Sequence, residues 1–273
     1  MAQKRSSNTY QKINTLFKRD DKNIIILDGS FVSPEFELLR GIKWETTEKI
    51  DGTNIRIEVQ RRIEYQVETI NNVEYEETNI PIGVHFDVTI KGKTDNAQIP
   101  SHLLAFLKEK YPSDIVLNSL GLKEFIPVEE FAEHRWVNEK GEIDVSRIPY
   151  LYTIYGEGYG MRIQSGGNYI KNGVGFIVFD VKVNDTYLLT ENYRGIAEKM
   201  GAPCVPDMGM MTIDEAIEFV KKGFKSTIAE NKDYDAEGLV LKAPLGLRTR
   251  MGERLIVKIK TCDFRKYEQV YGK

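Results

Sequence analysis

Residues 44–59 read WETTEKIDGTNIRIEV, with apolar and polar side chains alternating on both sides of Asp51-Gly52. Such alternation marks strands with one buried face, and Asp-Gly between two runs of it is the strongest short-range hairpin signal. The spacing therefore predicts a hairpin with Asp51 and Gly52 at its turn and Lys49 just before it. Alone, the segment reads as a surface hairpin with a solvated lysine. Outward from it, Ile63–Ile70 and Val73–Ile80 alternate around Asn71-Asn72, predicting a second hairpin, and Val84–Ile90 continues the strand-rich half. A first antiparallel sheet is expected here.

Beyond Ser101, a plausible cap, the amphipathic residues His102–Lys110 predict a helix that Pro112 ends. Leu151–Tyr155 and Gly175–Val183 read as buried strands separated by the glycine-rich loop GEGYGMRIQSGGN. Two further helices follow, one over Asn192–Met200 after Thr190, the other over IDEAIEFVKKG, opened by a Thr212/Glu215 capping box. Leu239–Lys242 and Leu255–Lys260 are the closing strands. There is no repeat, low-complexity tract or long linker, so residues 1–273 are expected to form one α+β domain of antiparallel sheets flanked by helices.

The composition, 41% hydrophobic and 29% charged, is that of a globular chain and excludes disordered and collagen-like classes. With 38 basic against 41 acidic residues, a uniformly basic coat is excluded too. A polyanion responds to local patches, however. Lys242–Lys273 holds nine basic residues against three acidic, whereas Glu58–Asn79 holds six glutamates and two arginines. The first stretch suits a nucleic acid and the second faces away from one. Only Cys204 and Cys262 are present, which indicates neither a disulfide framework nor a thiolate metal site. With no signal peptide or membrane span, the expected setting is cytoplasmic.

Several chemistries fail on spacing. Gly92-Lys93-Thr94 resembles the end of a phosphate-binding P-loop, but Asp87 stands where its first glycine is required. Gly156, Gly158 and Gly160 miss the dinucleotide fingerprint at Met161. His85, His102 and His134 lack metal-ligand spacing, and no G-x-S-x-G occurs. What remains is Lys49 before its turn, Glu157 at a strand end, Glu237-Gly238 leading a strand to Lys242, and Lys258 with Lys260 on one face of another strand. Two aligned ammonium groups repel unless an anion lies between them, and phosphate is the common candidate.

In order, TEKIDGTN (47–54), IYGEGYG (154–160), GFIVFDV (175–181), AEGLVLK (236–242) and IVKIK (256–260) resemble motifs I, III, IIIa, IV and V of the covalent nucleotidyltransferases, which include RNA ligases, DNA ligases and mRNA-capping enzymes. Asn54 resembles the second type of phage RNA ligase. Residues 92–96 lie where motif Ia is found, with Lys93 in place of a more usual arginine. The resemblance implies an ATP-grasp-like nucleotidyltransferase (adenylation) domain, with ATP held between its antiparallel sheets.

It further implies that Lys49 attacks the α-phosphorus of ATP, releasing pyrophosphate and leaving lysyl-AMP. That step needs a neutral amine, although free lysine titrates near a pKa of about 10.4. Lys258, Lys260 and a bound Mg²⁺ or Mn²⁺ would disfavour the ammonium. By resemblance Lys258 and Lys260 contact the α-phosphate, Glu237 binds metal, Glu157 holds the ribose or metal, Phe179 stacks on adenine and Glu48 reads its edge. Asp51 fills the second acidic position, Gly52 permits close backbone approach, and Asn54, Lys93 and Lys242 complete the ATP-binding set. AMP would pass to an RNA 5′-phosphate, to be displaced by a 3′-hydroxyl. A nick-sealing DNA ligase and a non-catalytic nucleotide- or RNA-binding relative are the alternatives. Only 13 residues follow Lys260, so no OB-fold is expected. The grip on RNA would fall to the basic C-terminal stretch, to Lys4, Arg5, Lys12, Lys18 and Arg19, or to a helper protein.

Overall fold

The computed structural model describes residues 8–70, 73–164 and 169–272, without the side chains of 68–79. The strands are β1 (Asn14–Thr15), β2 (Trp44–Glu48), β3 (Thr53–Ile70), β4 (Val73–Lys91), β5 (Phe125–Pro127), β6 (Leu151–Gly160), β7 (Val174–Val183), β8 (Thr186–Tyr187), β9 (Asp207–Met211), β10 (Gly238–Lys242) and β11 (Ile256–Lys260). The helices are α1 (Pro34–Leu38), α2 (Ser101–Lys110), α3 (Ser113–Ser119), α4 (Thr190–Met200), α5 (Ile213–Lys222) and α6 (Thr261–Tyr271). The class is α+β: β10 pairs antiparallel with β11 and β2, β2 with β9, β3 with β4, β4 with β5 and β7 with β8, whereas two-residue β1 runs parallel to β11. No described helix is long and apolar enough to cross a membrane.

By Cα proximity the chain divides into two compact units. The first comprises Asn54–Gly156 and Val178–Pro203 with Asn8; the second comprises Thr9–Thr53, Glu157–Ile177 and the chain from Cys204. The six-stranded sheet, in order β5-β4-β3-β6-β7-β8, supplies most of the first unit. Its central feature is the predicted second hairpin, longer than its alternation suggested. β3 and β4 run 18 and 19 residues and pair from Arg56↔Lys91 to Ile70↔Val73, so Val84–Ile90 belongs to β4 rather than to a separate strand. The Asn71-Asn72 turn lies outside the described residues. Ile55, Ile57 and Val59 form one buried row of β3, and Arg56 and Glu58, on the other face, are buried as well.

The five-stranded sheet of the second unit has the order β1-β11-β10-β2-β9. Leu239, Leu241, Val257 and Ile259 make its core-facing rows and pack with Trp44, Phe17, Phe31 and Phe264. Each such side chain taken from water contributes roughly 1.5–3 kcal/mol. α5 closes this core with Ile213, Ala216 and Val220, at helical spacing. Its predicted capping box is present: the Glu215 N–H donates to Thr212 Oγ1 at 3.2 Å, and the Thr212 N–H donates to Glu215 Oε2 at 2.7 Å.

Three expectations are corrected. β2 and β3 do not pair with each other: β2 lies between β10 and β9, and β3 belongs to the other sheet, so Asp51-Gly52 is a crossing and not a hairpin turn. The short turn favoured by Asp-Gly needs positive φ at glycine, and Gly52 does not adopt it. Residues 156–160 of the supposed glycine-rich loop extend β6. Ser101 is the first helical residue of α2, with Pro100 at the cap position and no side-chain cap.

Candidate active site

The register of three strands sorts the candidate residues by sheet face. Residues directly opposite in an antiparallel ladder share a face. Glu48 pairs with Leu239, which pairs with Ile259, and this row points to the core. Gly238 pairs with Lys260, Val240 with Lys258, and Lys242 with Ile256, which places the three lysines in the other row. The Lys49 N–H extends the ladder by donating to Gly238 O at 2.8 Å. Alternation then turns the Lys49 side chain away from the face of Glu48.

At this edge Glu237 receives two ammonium groups. Lys49 Nζ donates to its Oε2 at 2.6 Å, and Lys260 Nζ stands 2.7 Å from its Oε1. All three side chains are largely shielded from solvent. Burial alone would push the Lys260 ammonium down, but the hydrogen bond and charge of Glu237 outweigh it and hold this group above its usual range. Burial pushes the Glu157 carboxyl up to about 8. The Lys49 charge opposes that rise, and the carboxylates of Glu237 and Asp51 reinforce it.

The crossing itself is tightly built. A Cβ on Gly52 would collide with the Gly158 carbonyl oxygen and lie 2.9 Å from Glu157 Cγ, so glycine is required for the backbones to approach. The Asp51 N–H donates to the hydroxyl of fully buried Tyr169 at 3.1 Å. Beside Glu237 opens a cavity of about 470 Å³, lined in part by Asp51, Tyr234, Asp235, Thr261 and Arg265. The tyrosine pin is a feature the sequence reading missed. Nothing in the local pattern around Tyr169 announces a partner 118 positions away.

Other candidates have different settings. The Glu48 carboxylate, assigned by resemblance to the base edge, accepts from Ser226 Oγ at 2.5 Å and from the N–H and Oγ1 of Thr227 at 2.9 and 2.7 Å. It anchors the segment that leads to Glu237. Lys242 is buried at the far end of β10, about 13 Å from Gly238 at strand rise. Asn54, Lys93 and Phe179 belong to the first unit. There Asn54 Oδ1 is buried without a hydrogen-bond partner, Lys93 is exposed, and the Phe179 ring lies 6.5 Å from that of Tyr155 at 19°. Of the basic residues considered for RNA, Lys4 and Arg5 lie outside the described residues, and Arg19 pairs with Asp263 at 2.8 Å.

Among the described residues no three His, Cys, Asp or Glu side chains converge as a ready metal cage. The oxygen-only donors Glu237 and Glu157 nonetheless fit Mg²⁺ or Mn²⁺ that arrives on a polyphosphate, because Mg²⁺ is usually held by one or two carboxylates plus substrate oxygens. The burial and like-charge crowding that raise Glu157 are what a cation would relieve.

A model of the RNA ligase family matches residues 42–260. Comparison with curated proteins finds no sequence match. Among solved structures, a Naegleria gruberi RNA ligase with PPi is 15% identical at a TM-score of 0.47, with 99% of this chain and 63% of that one covered. A mutant of the same ligase with ATP and Mn is 16% identical at 0.48, with 96% and 62% covered. An apo mutant is 15% identical at 0.49, with 96% and 64% covered. The chain thus spans about 62–64% of the length of these ligases.

Proposed function

The chain belongs to the RNA ligase family, and from that membership we propose that it joins RNA ends at the expense of ATP, with Lys49 as the nucleophile. The observation that carries this reading is the single carboxylate of Glu237 shared by Lys49 and Lys260. Two ammonium groups held a few ångströms apart can close on an α-phosphate as soon as that carboxylate is drawn elsewhere. Without nucleotide, Glu237 keeps the Lys49 ammonium neutralised and in place. The phosphates of ATP then compete with Glu237 for Lys260 and Lys258, and drawing Glu237 away releases Lys49 from its counter-charge.

Lys49 gives up one proton to water to become the amine that attacks the α-phosphorus, and its nitrogen sheds a second as the phosphoramidate forms. A P–N bond forms, the bond to the β-phosphate oxygen breaks, and pyrophosphate leaves. Lys258 and Lys260 meet the charge that grows on the α-phosphoryl oxygens. Mg²⁺ or Mn²⁺ held by Glu237 and Glu157 would supply further neutralisation of the phosphates. Lysyl-AMP then passes its AMP to an RNA 5′-phosphate, and a 3′-hydroxyl displaces AMP to form the phosphodiester. Phe179, Asn54 and Lys93 are proposed for the nucleotide, on the strength of their motif positions alone.

Incubation with ATP labelled at the α-phosphate tests this reading. Label is expected on the protein in the presence of Mg²⁺ and is expected to vanish in Lys49→Ala. Normal labelling of that variant refutes the nucleophile. Sealing of DNA nicks but not RNA ends would refute the substrate.

A further inference from the structure

The segment joining β10 to β11 plays no part in the chemistry above, yet it is built as a discrete tongue. The Ala243 N–H donates to Leu255 O at 2.9 Å, Leu255 N–H to Leu247 O at 3.1 Å, Thr249 N–H to Glu253 O at 2.7 Å and Gly252 N–H to Thr249 O at 2.9 Å. Arg248 pairs with Arg254 as an isolated bridge, and its guanidinium donates to Gly252 O at 3.0 Å. This self-bonded backbone holds its large apolar side chains in water. Leu245 and Met251 are each 87% exposed, and Leu247 is exposed beside them. Leu245 moreover sits at φ 57°, ψ 19°, a left-handed conformation that strains any residue with a Cβ.

Neither feature serves the stability of the loop, where glycine or a polar residue would be better tolerated. Apolar side chains exposed singly are ordinary, but a cluster of them marks a contact surface. Its charge narrows the partner: residues 244–254 carry Arg248, Arg250 and Arg254 against Glu253 alone. They contain no aromatic residue, so of the Trp, Tyr and Arg in which protein–protein anchors are enriched only arginine is present, and arginine is equally the residue that pairs bidentately with phosphate. Three arginines beside large exposed aliphatic side chains suit a polyanion with apolar faces.

We propose that this tongue grips RNA, with Arg248 and Arg250 on phosphates and Leu245 and Met251 against sugar and base surfaces. The proposal rests on RNA being the substrate. β10 and β11 link the two places: Glu237 and Lys260 lie at one end of the strand pair and the tongue at the other, about 16 Å away at strand rise. The tongue thus holds RNA several nucleotides from the end that is joined.

The test uses the full chain, a short 5′-phosphorylated single-stranded RNA and fluorescence anisotropy at several salt concentrations, with protein labelling from α-labelled ATP measured in parallel. Arg248→Ala/Arg250→Ala is expected to weaken RNA binding and to reduce the slope of log K against log [salt] by about 1.4, at roughly 0.7 for each phosphate contact. Leu245→Gly, which keeps the backbone conformation while relieving its strain, is expected to weaken binding with the slope unchanged. Lysine labelling stays at its normal level in both variants. RNA affinity unchanged in both variants would overturn the proposal, including the case in which they instead lose a protein partner. Absence of labelling in the unsubstituted chain, with RNA binding still dependent on the tongue, would overturn the Lys49 chemistry and uphold the tongue.

Discussion

Glu157 and Glu237 stand close enough to feel each other's charge, yet their settings differ. Glu237 has an ammonium group on each oxygen, whereas burial, reinforced by like charges, pushes the Glu157 carboxyl up to about 8. Glu157 therefore retains a proton in the folded chain that the unfolded chain releases above its ordinary value of 4.5. Between those two values the native state binds more protons, so stability is full below the lower one and declines as pH rises through the upper. Glu157→Gln, which keeps the neutral hydrogen-bonding shape, is expected to flatten this decline in urea unfolding measured across that pH window without nucleotide. An identical pH profile in the variant would remove Glu157 as its cause.

At the scale of the element, β10 shows how a strand places a carboxylate. Gly238 has φ +149°, and a Cβ there would collide with Ile259 O and stand 2.9 Å from Lys260 Cα. The absent side chain lets β10 lie close to the C-terminal end of β11, with Glu237 reaching Lys260 from the preceding position. Gly238→Ala combines overpacking with an unfavourable φ and is expected to cost about 3 kcal/mol. Chemical denaturation measures that cost, and protein labelling should fall with it, because β11 must shift away from Glu237. An unchanged denaturation midpoint would show that the two strands yield freely here. The ladder also separates neighbours in sequence: Glu48 and Lys49 adjoin, yet one anchors Thr227 and the other meets Glu237.

At the scale of the whole molecule, the first unit contains an ionic network with a buried Arg56–Glu58 centre that ordinary strand patterning does not foresee. Arg56 is fully buried and donates to Glu58 at 2.7 Å, to Asp95 at 2.8 Å and to the Gly92 carbonyl at 2.9 Å. Lys91 also reaches Glu58, at 2.7 Å. The network ties β3 to the segment that carries Lys93. Removing the Arg56 guanidinium leaves buried Glu58 with Lys91 as its remaining counter-charge, so Arg56→Ala is expected to lower stability by about 3 kcal/mol, the low end for breaking a buried pair. The denaturation midpoint reads this loss, and a loss below about 1 kcal/mol would mean that water already screens the network.

Period-two alternation identified β3 and β4, short apolar runs identified β10 and β11, the Thr212/Glu215 spacing identified the entrance of α5, and the order of five short motifs identified the nucleotidyltransferase resemblance, because each is carried by residues close together in the chain. Alternation is silent about which strands pair, so Asp51-Gly52 read as a hairpin turn although β2 and β3 belong to different sheets. It is equally silent about polar positions such as Arg56 and Glu48, which a strand normally turns to solvent and which are buried here with their partners supplied. Lys49 and Glu237 are 188 positions apart. Their meeting, and the counter-charge it gives the lysine, depended on sheet register and burial, which arise only when distant segments pack together.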